Sequence, residues 1–512
     1  MFHLGPLDIS ILVGYLVLLG SIGWWAAHRS AKTTADYFLA GRSIPWLVTT
    51  ASFMATIISA LTFIGTPAEG YGGDYRYLFS SVGDILATIF VAACFLPVFQ
   101  RMGVTSIYEL IAHRFGGVAS TTCSGYFLVA RMLAASVRIV AVAKVLEVVS
   151  NDAFSYKWCV VIVIGIILTY TTVGGGRAIA WTDLVQFILL ISGAIIAIVY
   201  IVNHVPGGVP KIIEIGKHAV RPDGTEYSKF NFLELFKPTN LGLFFLIATW
   251  GFFQSSAAYG TDQDMVQRLL SCSDPRKARW SLMLSGLISI PVTFLFLSIG
   301  VALYAYAQVH PELVLGMTDN DHIFPRFIVT EMPAGLRGLL LAAVASAAMG
   351  SSDSALASLA TAFVVDFYKP FWGKHQSESH HVRASKIAFI GFGLLMMISA
   401  IAIGSFENLL WLGFKVVSFM YAPLLGVFFV AIFTNWKIKG QKLALLMIMI
   451  SFLLCALLIM AKSVVSDGAT DGIWFHYNAT YWRLNMIVGS LLVPLACYFL
   501  RDRSRGKDES AS

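Results

Sequence analysis

The chain has 512 residues, of which 57% are hydrophobic and only 13% are charged. Soluble domains carry roughly 25% charged residues, so this composition excludes an ordinary soluble enzyme or binding module. The net charge of +7 comes from Lys and Arg scattered over short loops, which is typical of membrane topology signals and argues against a nucleic-acid partner.

Apolar runs of about twenty residues, the length that crosses a bilayer as a helix, recur along the chain. We predict an all-α polytopic protein of the cell membrane with about 13 transmembrane helices. Loops rich in basic residues alternate with loops poor in them, which places the N-terminus outside and the C-terminus inside. The predicted spans are 7–27, 45–67, 77–99, 119–149, 157–175, 180–203, 240–259, 278–308, 335–366, 384–404, 408–433, 440–462 and 482–500.

The second span, 45–67, carries small and polar residues inside an otherwise apolar helix. These residues are Thr56, Ser59, Thr62, Gly65 and Pro67. An interrupted membrane helix exposes backbone carbonyls, which suit a hard cation such as Na⁺ in a transporter. The alternative is a proline-terminated helix whose hydroxyls bond to the preceding turn. The residues alone do not decide between the two.

Charged residues inside apolar spans are the next signal. Arg131 and Arg138 lie seven residues apart on one face of the fourth span. Arginines at that depth should pair with a carboxylate, a carbonyl or an anionic solute, and a structural ion pair is the favoured reading. Lys415, in the eleventh span, is either paired, with Asp353 as a candidate partner, or lines a pathway.

The segment 345–366 reads as the middle of a long helix whose one face is small and polar. That face carries Ala347, Gly350, Ser351, Ser354, Ser358 and Thr361. Close helix packing explains the alanines and Gly350, but it does not explain Asp353 beside this face. A cation, water or a polar partner would explain Asp353.

Two further segments carry polar side chains. Asp183 follows a glycine-rich turn and either favours a helix N-terminus or binds a cation. Toward the end of the seventh span, Ser255 and Tyr259 could line a cavity, together with Gln254. The carboxylates and arginine of 262–268 are expected to form an ion-pair cluster at the cytoplasmic end of this span.

Several stretches together resemble the sodium/solute symporter family, which holds sodium–glucose, proline and sialic acid carriers. The matching stretches include Y-F-L-A-G-R-S-I-P-W (37–46), A-T-I-I-S-A-L-T-F-I-G-T-P (55–67), T-S-I-Y-E-L-I-A-H-R-F-G (105–116) and T-D-Q-D-M-V-Q-R (261–268). Bacterial sodium/sialic acid symporters look most similar, notably around I-V-T-E-M-P (328–333).

The resemblance implies a LeuT-type fold of two inverted five-helix repeats. It divides the chain into an extra N-terminal helix with the first cytoplasmic loop (1–44), the first repeat (45–203), an extracellular loop (204–239), the second repeat (240–433), two C-terminal helices (434–500) and a cytoplasmic tail (501–512). Alternating access is then expected to move two helix bundles around a midplane site.

The same resemblance implies a main Na⁺ site. Its ligands are the carbonyls of Ala55, Ile58 and Ala347 and the hydroxyl of Ser351. The family usually has a second Ser or Thr where this chain has Gly350, so one hydroxyl ligand is missing here.

A second Na⁺ site, present in some members, falls at Asp183, Asp353 and Ser354. Asp353 replaces a serine that is common at this position in sialic acid carriers. The extra carboxylate would strengthen the binding of a hard cation.

The implied solute site contains Ser59, Thr62, Ser81, Arg131, Ser255, Tyr259 and Lys415. Ser59, Thr62 and Arg131 match positions that contact the solute in sialic acid symporters, where the arginine binds the carboxylate. Ser81 replaces a glutamine, so the particular solute stays open.

The leading hypothesis is a sodium-coupled symporter that imports a small organic anion, such as a sugar acid or a carboxylate. One alternative is a symporter for a neutral sugar, polyol or amino acid. Another is a membrane sensor or channel-like protein on the same fold. The chain shows no ATP-binding motif and no catalytic constellation at membrane depth, so we expect no enzyme activity. A monomer should suffice for transport, and the oligomeric state is not predicted.

Overall fold

In the computed structural model, helices account for most of the chain. The structure describes residues 4–27, 33–149, 154–221, 224–230, 238–317, 320–404, 409–465 and 471–501. The first ten helices are α1 (Pro6–Ala27), α2 (Thr34–Leu39), α3 (Trp46–Ile57), α4 (Ala60–Gly72), α5 (Phe79–Phe90), α6 (Leu96–Met102), α7 (Tyr108–Phe115), α8 (Gly117–Val149), α9 (Tyr156–His204) and α10 (Gly208–Lys217).

The second half continues in the same way. Its helices are α11 (Pro238–Thr261), α12 (Gln263–Leu270), α13 (Pro275–Val309), α14 (Ile323–Thr330), α15 (Leu336–Ala362), α16 (Lys369–Phe371), α17 (Glu378–Ile403), α18 (Leu409–Phe433), α19 (Gly440–Val465) and α20 (Asp471–Leu500). Strands β1 (Ala219–Val220) and β2 (Glu226–Tyr227) form an antiparallel hairpin between α10 and α11. We call the end of the molecule that carries it the hairpin end.

The described residues contain ten helices that are long and apolar enough to cross a bilayer, or eleven spans when α3 and α4 count as one bent span. Two shorter apolar helices, Tyr156–Thr169 and Ser418–Phe433, accompany them. The predicted all-α polytopic architecture is therefore confirmed. The count of thirteen spans, the orientation of the termini and the repeat boundaries stay predictions.

Helix α15 is the most enclosed span of the described chain. In the apolar 18-residue window of the span that contains α15, 89% of the window is buried. The corresponding share is 22% for α1 and for α17. Helices α1, α8, α9 and α17 all pack against it. A helix surrounded by protein can hold polar side chains at membrane depth, because those side chains do not meet lipid. The polar face predicted at 345–366 therefore lies in the centre of the bundle.

Helix α15 begins at a cap supplied by a distant part of the chain. Asp8 of α1 is fully buried and accepts hydrogen bonds from the amides of Gly335 (2.8 Å) and Gly338 (2.9 Å). The first amides of a helix have no partner within the helix, and a carboxylate there also meets the positive end of the helix dipole. The first helix thus completes the N-terminus of the central one.

Helices α5 and α11 cross at backbone contact. A Cβ atom on Gly83 would lie 2.0 Å from the carbonyl of Ala248, and one on Gly251 would lie 2.5 Å from the carbonyl of Ser80. Only glycine allows the two backbones to approach this closely. The crossing brings the two helices that line much of the cavity described below into direct contact.

At the hairpin end, a buried lysine joins the loop after the hairpin to the end of α4. The Nζ atom of Lys229 donates to the carbonyls of Tyr71 (2.6 Å), Gly73 (2.9 Å) and Gly70 (3.2 Å). It also lies 4.2 Å from the centre of the Tyr304 ring. Burial lowers the pKa of Lys229 to about 7, and the negative charges of Asp74 and Glu69 act against that shift.

Candidate functional site

The predicted interruption of the second span is present. Helix α3 ends at Ile57 and α4 begins at Ala60, and the chain bends by 55° between the two helices. Between them, Ile58 (φ −82°, ψ 75°) and Ser59 (φ −80°, ψ 175°) have non-helical backbones. The span is therefore a broken helix, as its small and polar residues indicated.

The break removes hydrogen bonds from two carbonyls. The amide of Ser59 donates to Ile57, and the amide of Thr62 donates to Ser59, both at 2.9 Å. In a continuous α-helix these amides would bond the carbonyls of Ala55 and Ile58, four residues earlier. Both carbonyls lose that donor, so their oxygen atoms are available to a hard cation.

Helix α15 packs against both halves of the broken helix. Ala347 and Ser351 are buried on it, and the Ser351 hydroxyl donates to the Ala347 carbonyl at 3.1 Å. Ser358 and Thr361 also bond to carbonyls of their own helix. Local bonding thus satisfies these hydroxyl protons, while each hydroxyl oxygen keeps acceptor capacity.

Asp183 lies at the centre of a buried polar network. Its Oδ2 atom accepts from the Ser52 hydroxyl at 2.6 Å and forms an ion pair with Arg268. Arg268 also lies 3.6 Å from Asp264. The other carboxylate oxygen, Oδ1, is buried and has no hydrogen-bond partner among the described residues. One half of this carboxylate is therefore engaged, and the other is open.

Arg131 belongs to the same network. It pairs with Asp264 and, at 3.2 Å, with Asp262, whose carboxylate also accepts from the Tyr421 hydroxyl at 2.7 Å. These pairs join α8 to the short helix α12 and α18, whereas Arg268 joins α12 to α9. The ion-pair cluster predicted for 262–268 is present, and it is buried inside the bundle.

The network carries more negative than positive charge. Asp353 is fully buried, accepts from the Ser354 hydroxyl at 3.3 Å and interacts electrostatically with Arg268. The carboxylates of Asp183, Asp262, Asp264 and Asp353 outnumber the guanidinium groups of Arg131, Arg138 and Arg268 in this region. A buried excess of carboxylates is unfavourable unless a cation or protons neutralise it.

A cavity of about 210 Å³ opens next to the break in the helix. It is bounded by the broken helix, α5, α8, α11, α13 and α18. Six of the seven predicted solute residues line it: Ser59, Thr62, Ser81, Arg131, Ser255 and Tyr259. The seventh, Lys415, lies in α18, but its side chain is outside the described part of the structure.

Three charged residues in the cavity wall were not among the predicted solute residues: Asp84, Arg138 and Asp262, the partner of Arg131. Asp84 accepts from the hydroxyls of Tyr259 (2.6 Å) and Ser289 (2.7 Å) and forms no ion pair with a described residue. Arg138 also lines the cavity, and its buried Nε and Nη1 atoms have no partner among the described residues. The amide oxygen of Gln254 is likewise unpartnered.

The missed residues had a visible signal. Asp84 is an ionisable residue inside the apolar span 77–99, which is by itself a reason to expect a site. Arg138 shares a face with Arg131, and only the fold tells which of the two has carboxylate partners. The seven-residue spacing indicates that both arginines lie on one helix face, but it does not indicate which of them pairs with distant carboxylates.

The described residues contain no group of three or more His, Cys, Asp or Glu side chains arranged to hold a metal ion. Carbonyl, hydroxyl and amide oxygens suit a hard monovalent cation better than a transition metal. The donor set at the break and on α15 is of this kind.

The sequence matches a known family over most of its length. Residues 37–461 match the family described as "Sodium:solute symporter family". Among curated relatives, the sodium/sialic acid symporter SiaT of Proteus mirabilis (strain HI4320) is 28% identical over 493 residues, which cover 96% of this chain and 95% of that protein. The sodium/sialic acid symporter NanT of Aliivibrio fischeri (strain ATCC 700601 / ES114) is also 28% identical, covering 96% and 94%.

Among solved structures, the fold is similar to a substrate-bound, outward-open Na⁺-coupled sialic acid symporter. The TM-score is 0.76, with 24% sequence identity, and the match covers 96% of this chain and 98% of that one. The predicted LeuT-type architecture is confirmed by this likeness.

Proposed function

The chain belongs to the sodium:solute symporter family, and on this premise we propose that it imports a small organic anion by coupling to Na⁺. Family membership identifies a sodium-coupled, multi-pass membrane transporter rather than an enzyme. What is proposed is the solute class and the residues that bind solute and ion. The observation that carries the proposal is a cavity beside a broken helix, with an arginine in its wall whose buried Nε and Nη1 atoms have no partner among the described residues.

Arg138 is the proposed contact for the anionic group. A guanidinium presents donors in a fixed fork that matches a carboxylate, and Arg138 has two buried nitrogen donors without a partner. Arg131 lines the same cavity and has an unpartnered Nε among the described residues, but Asp262 and Asp264 accept hydrogen bonds from both of its Nη atoms. A solute carboxylate would have to compete with both of them, so we assign Arg131 a supporting role.

Na⁺ at the main site would be held by the carbonyls of Ala55, Ile58 and Ala347 and by the hydroxyl of Ser351. The residues fit such an ion, because the break frees two carbonyls and Ser351 keeps acceptor capacity. Bound Na⁺ would tie the broken helix to α15 and so favour one arrangement of the two bundles. The solute cavity adjoins the same break, which gives ion and solute a shared structural element.

A second Na⁺ at Asp183, Asp353 and Ser354 would neutralise part of the carboxylate excess. The unpartnered Oδ1 atom of Asp183 supports this assignment. The ion pairs of Arg131 with Asp262 and Asp264, and of Arg268 on α12 with Asp183 on α9, hold three helices together beside the cavity. Transport would require these pairs to separate, so their strength contributes to the barrier between the two access states.

Asp84 favours a second candidate solute. A carboxylate in a solute cavity without a cationic protein partner suits an ammonium group or hydroxyl donors on the solute. A zwitterion, or an anion with several hydroxyls, would then satisfy Arg138 and Asp84 together. Asp84 therefore makes an amino acid or an amino-sugar acid a second candidate solute, in addition to a simple carboxylate.

The proposed ligands that lie in the described part of the structure all belong to a single chain, so we propose that a monomer suffices for transport.

The proposed function is tested by uptake into proteoliposomes of purified protein, with solutes chosen by a thermal-shift screen in NaCl and in choline chloride. Organic anions should stabilise the protein, and more strongly in NaCl. Uptake that does not depend on a Na⁺ gradient would refute the coupling. Selective binding of uncharged sugars alone would refute the anion assignment.

A further inference from the structure

Gln186 is a buried residue whose side-chain oxygen has no hydrogen-bond partner among the described residues. It lies on α9, one helical turn after Asp183, and is 1% exposed. The side-chain nitrogen Nε2 lies beside the Tyr15 hydroxyl, whereas Oε1 has no hydrogen-bond partner among the described residues. Leaving an amide unsatisfied in a protein interior costs free energy, so such a group calls for an explanation.

The amide oxygen points into a space that Gly350 leaves open. A Cβ atom on Gly350 would lie 2.3 Å from Oε1 of Gln186 and 3.1 Å from Oδ1 of Asp183. These two oxygens therefore face one another across the position where any other residue would have a side chain. Both are buried and both lack partners.

In this arrangement the amide oxygen and the ionised carboxylate repel each other, because neither of them has a hydrogen to donate. Their mutual repulsion is relieved by a cation or by a donor such as water. The excess of carboxylates in the surrounding network favours a cation over a neutral molecule. Arg268 does not fill this role, because it binds the other oxygen of Asp183.

We propose that the side-chain oxygen of Gln186 is a ligand of the second Na⁺ site, where it faces Asp183 across the space beside Gly350. The inference rests on the proposed sodium coupling and extends the second ligand set, which otherwise consists of Asp183, Asp353 and Ser354. Gly350 is then required at this position because a larger residue would displace the amide oxygen.

The first test is direct binding of radioactive sodium to purified protein, with Gln186→Leu as the variant. Leucine approximates the shape of glutamine and removes only the amide. We expect one fewer Na⁺ bound per chain, or a loss of affinity of at least roughly tenfold at one class of sites. Unchanged number and affinity of bound Na⁺ would overturn the proposal and indicate that water bridges the two oxygens.

A second variant keeps every ligand and closes the space. Gly350→Ala places a methyl group where the two oxygens face each other, so it should weaken the same class of sites. The matched control is Gln263→Leu, because Gln263 is also buried but its amide bonds the backbone of Thr105 and Ile107. Gln263→Leu should change stability without changing Na⁺ binding. If Gly350→Ala binds Na⁺ as the wild type does, the assigned space is wrong.

Failure of this inference and failure of the proposed function are distinguishable. If the wild-type protein binds no Na⁺ and gains no thermal stability in NaCl over choline chloride, the sodium coupling itself fails. If the wild type responds to Na⁺ and Gln186→Leu responds identically, only the role of Gln186 fails.

Discussion

The ammonium group of Lys229 donates to the carbonyl of Tyr71 across 2.6 Å and thereby fixes a loop lysine at the C-terminus of α4. The last carbonyls of a helix lack partners and carry the negative end of the helix dipole, so a buried cation there is doubly favoured. Because α4 is the second half of the broken helix, this contact connects the loop to an element of the proposed site.

We expect Lys229→Met to loosen the end of α4. Hydrogen bonds from a charged group contribute about 1.5–3 kcal/mol each, so loss of three should lower stability by several kcal/mol at this end of the molecule. Hydrogen exchange should rise in residues 70–78 and 224–230. Lys217→Met, at an exposed lysine of the same loop region, should leave both exchange and melting temperature unchanged.

Asp8→Ala should destabilise the start of α15. Loss of a capping side chain costs typically about 1 kcal/mol, and the charge at the helix dipole adds to this. The melting temperature should fall, and the amides of Gly335 and Gly338 should exchange faster. Ser10→Ala, on the exposed face of the same first helix, is the control. Equal melting temperatures for the two variants would contradict the capping role.

Ser351→Ala tests the main Na⁺ site. The hydroxyl bonds only its own helix, so its loss should change stability little while removing one proposed ligand. The Na⁺ concentration that gives half-maximal uptake should rise roughly tenfold. Ser358→Ala is a matched control, because Ser358 is equally buried on the same helix and also bonds a carbonyl of that helix. If the two variants reach half-maximal uptake at the same Na⁺ concentration, Ser351 is not a ligand.

Arg138 and Arg131 should respond differently to the same substitution. Arg131→Gln leaves Asp262 without its ion-pair partner and Asp264 with only the 3.6 Å contact to Arg268 among the ion pairs of the described residues. Breaking a buried pair costs about 3–5 kcal/mol, so the protein should lose stability. Arg138→Gln breaks no ion pair, so the protein should stay folded and lose anion affinity. Melting temperature and solute binding, measured in parallel, separate the two roles. Normal solute affinity in Arg138→Gln would remove Arg138 from the site.

Asp84→Asn should change the selectivity of the cavity. The amide retains an acceptor for Tyr259 or Ser289 but loses the negative charge. Thermal-shift binding with matched pairs, such as alanine and lactate or glutamate and 2-hydroxyglutarate, reads out the ammonium preference directly. Where the members of a pair bind, the wild type should bind the amino acid more tightly than the hydroxy acid. Asp84→Asn should lose that preference. If the wild type does not discriminate within such pairs, Asp84 has no ammonium-binding role.

The fold was largely predictable because membrane spans have a strong signal in sequence. For the second span, Pro67 and the hydroxyls left a broken helix and a proline-terminated helix equally open. The Na⁺ ligands that the resemblance implied at the carbonyls of Ala55 and Ile58 favoured the broken helix. The family pattern indicated six residues that do line the cavity. Their roles in binding solute, like those of the Na⁺ ligands, stay predictions.

The contacts between distant segments were not predictable. Asp8 and Gly335 are more than three hundred residues apart, and nothing in either segment indicates that one caps the other. Lys229 looks like an ordinary loop lysine in the sequence, and only the fold buries it. The pairing of Arg131 rather than Arg138 with Asp262 and Asp264 depends on the position of α12, which local patterns do not determine.

The broken helix has a consequence for how this protein tolerates genetic change. Three of the four proposed main-site ligands, at Ala55, Ile58 and Ala347, are backbone carbonyls, which every amino acid possesses. A single codon change at those positions can deform the site but cannot delete its ligand atoms. In the second set, Asp183, Gln186 and Asp353 contribute side-chain oxygens, each removable by one substitution. Saturation mutagenesis should therefore show that Ala55, Ile58 and Ala347 tolerate more different small residues than Asp183, Gln186 and Asp353 do.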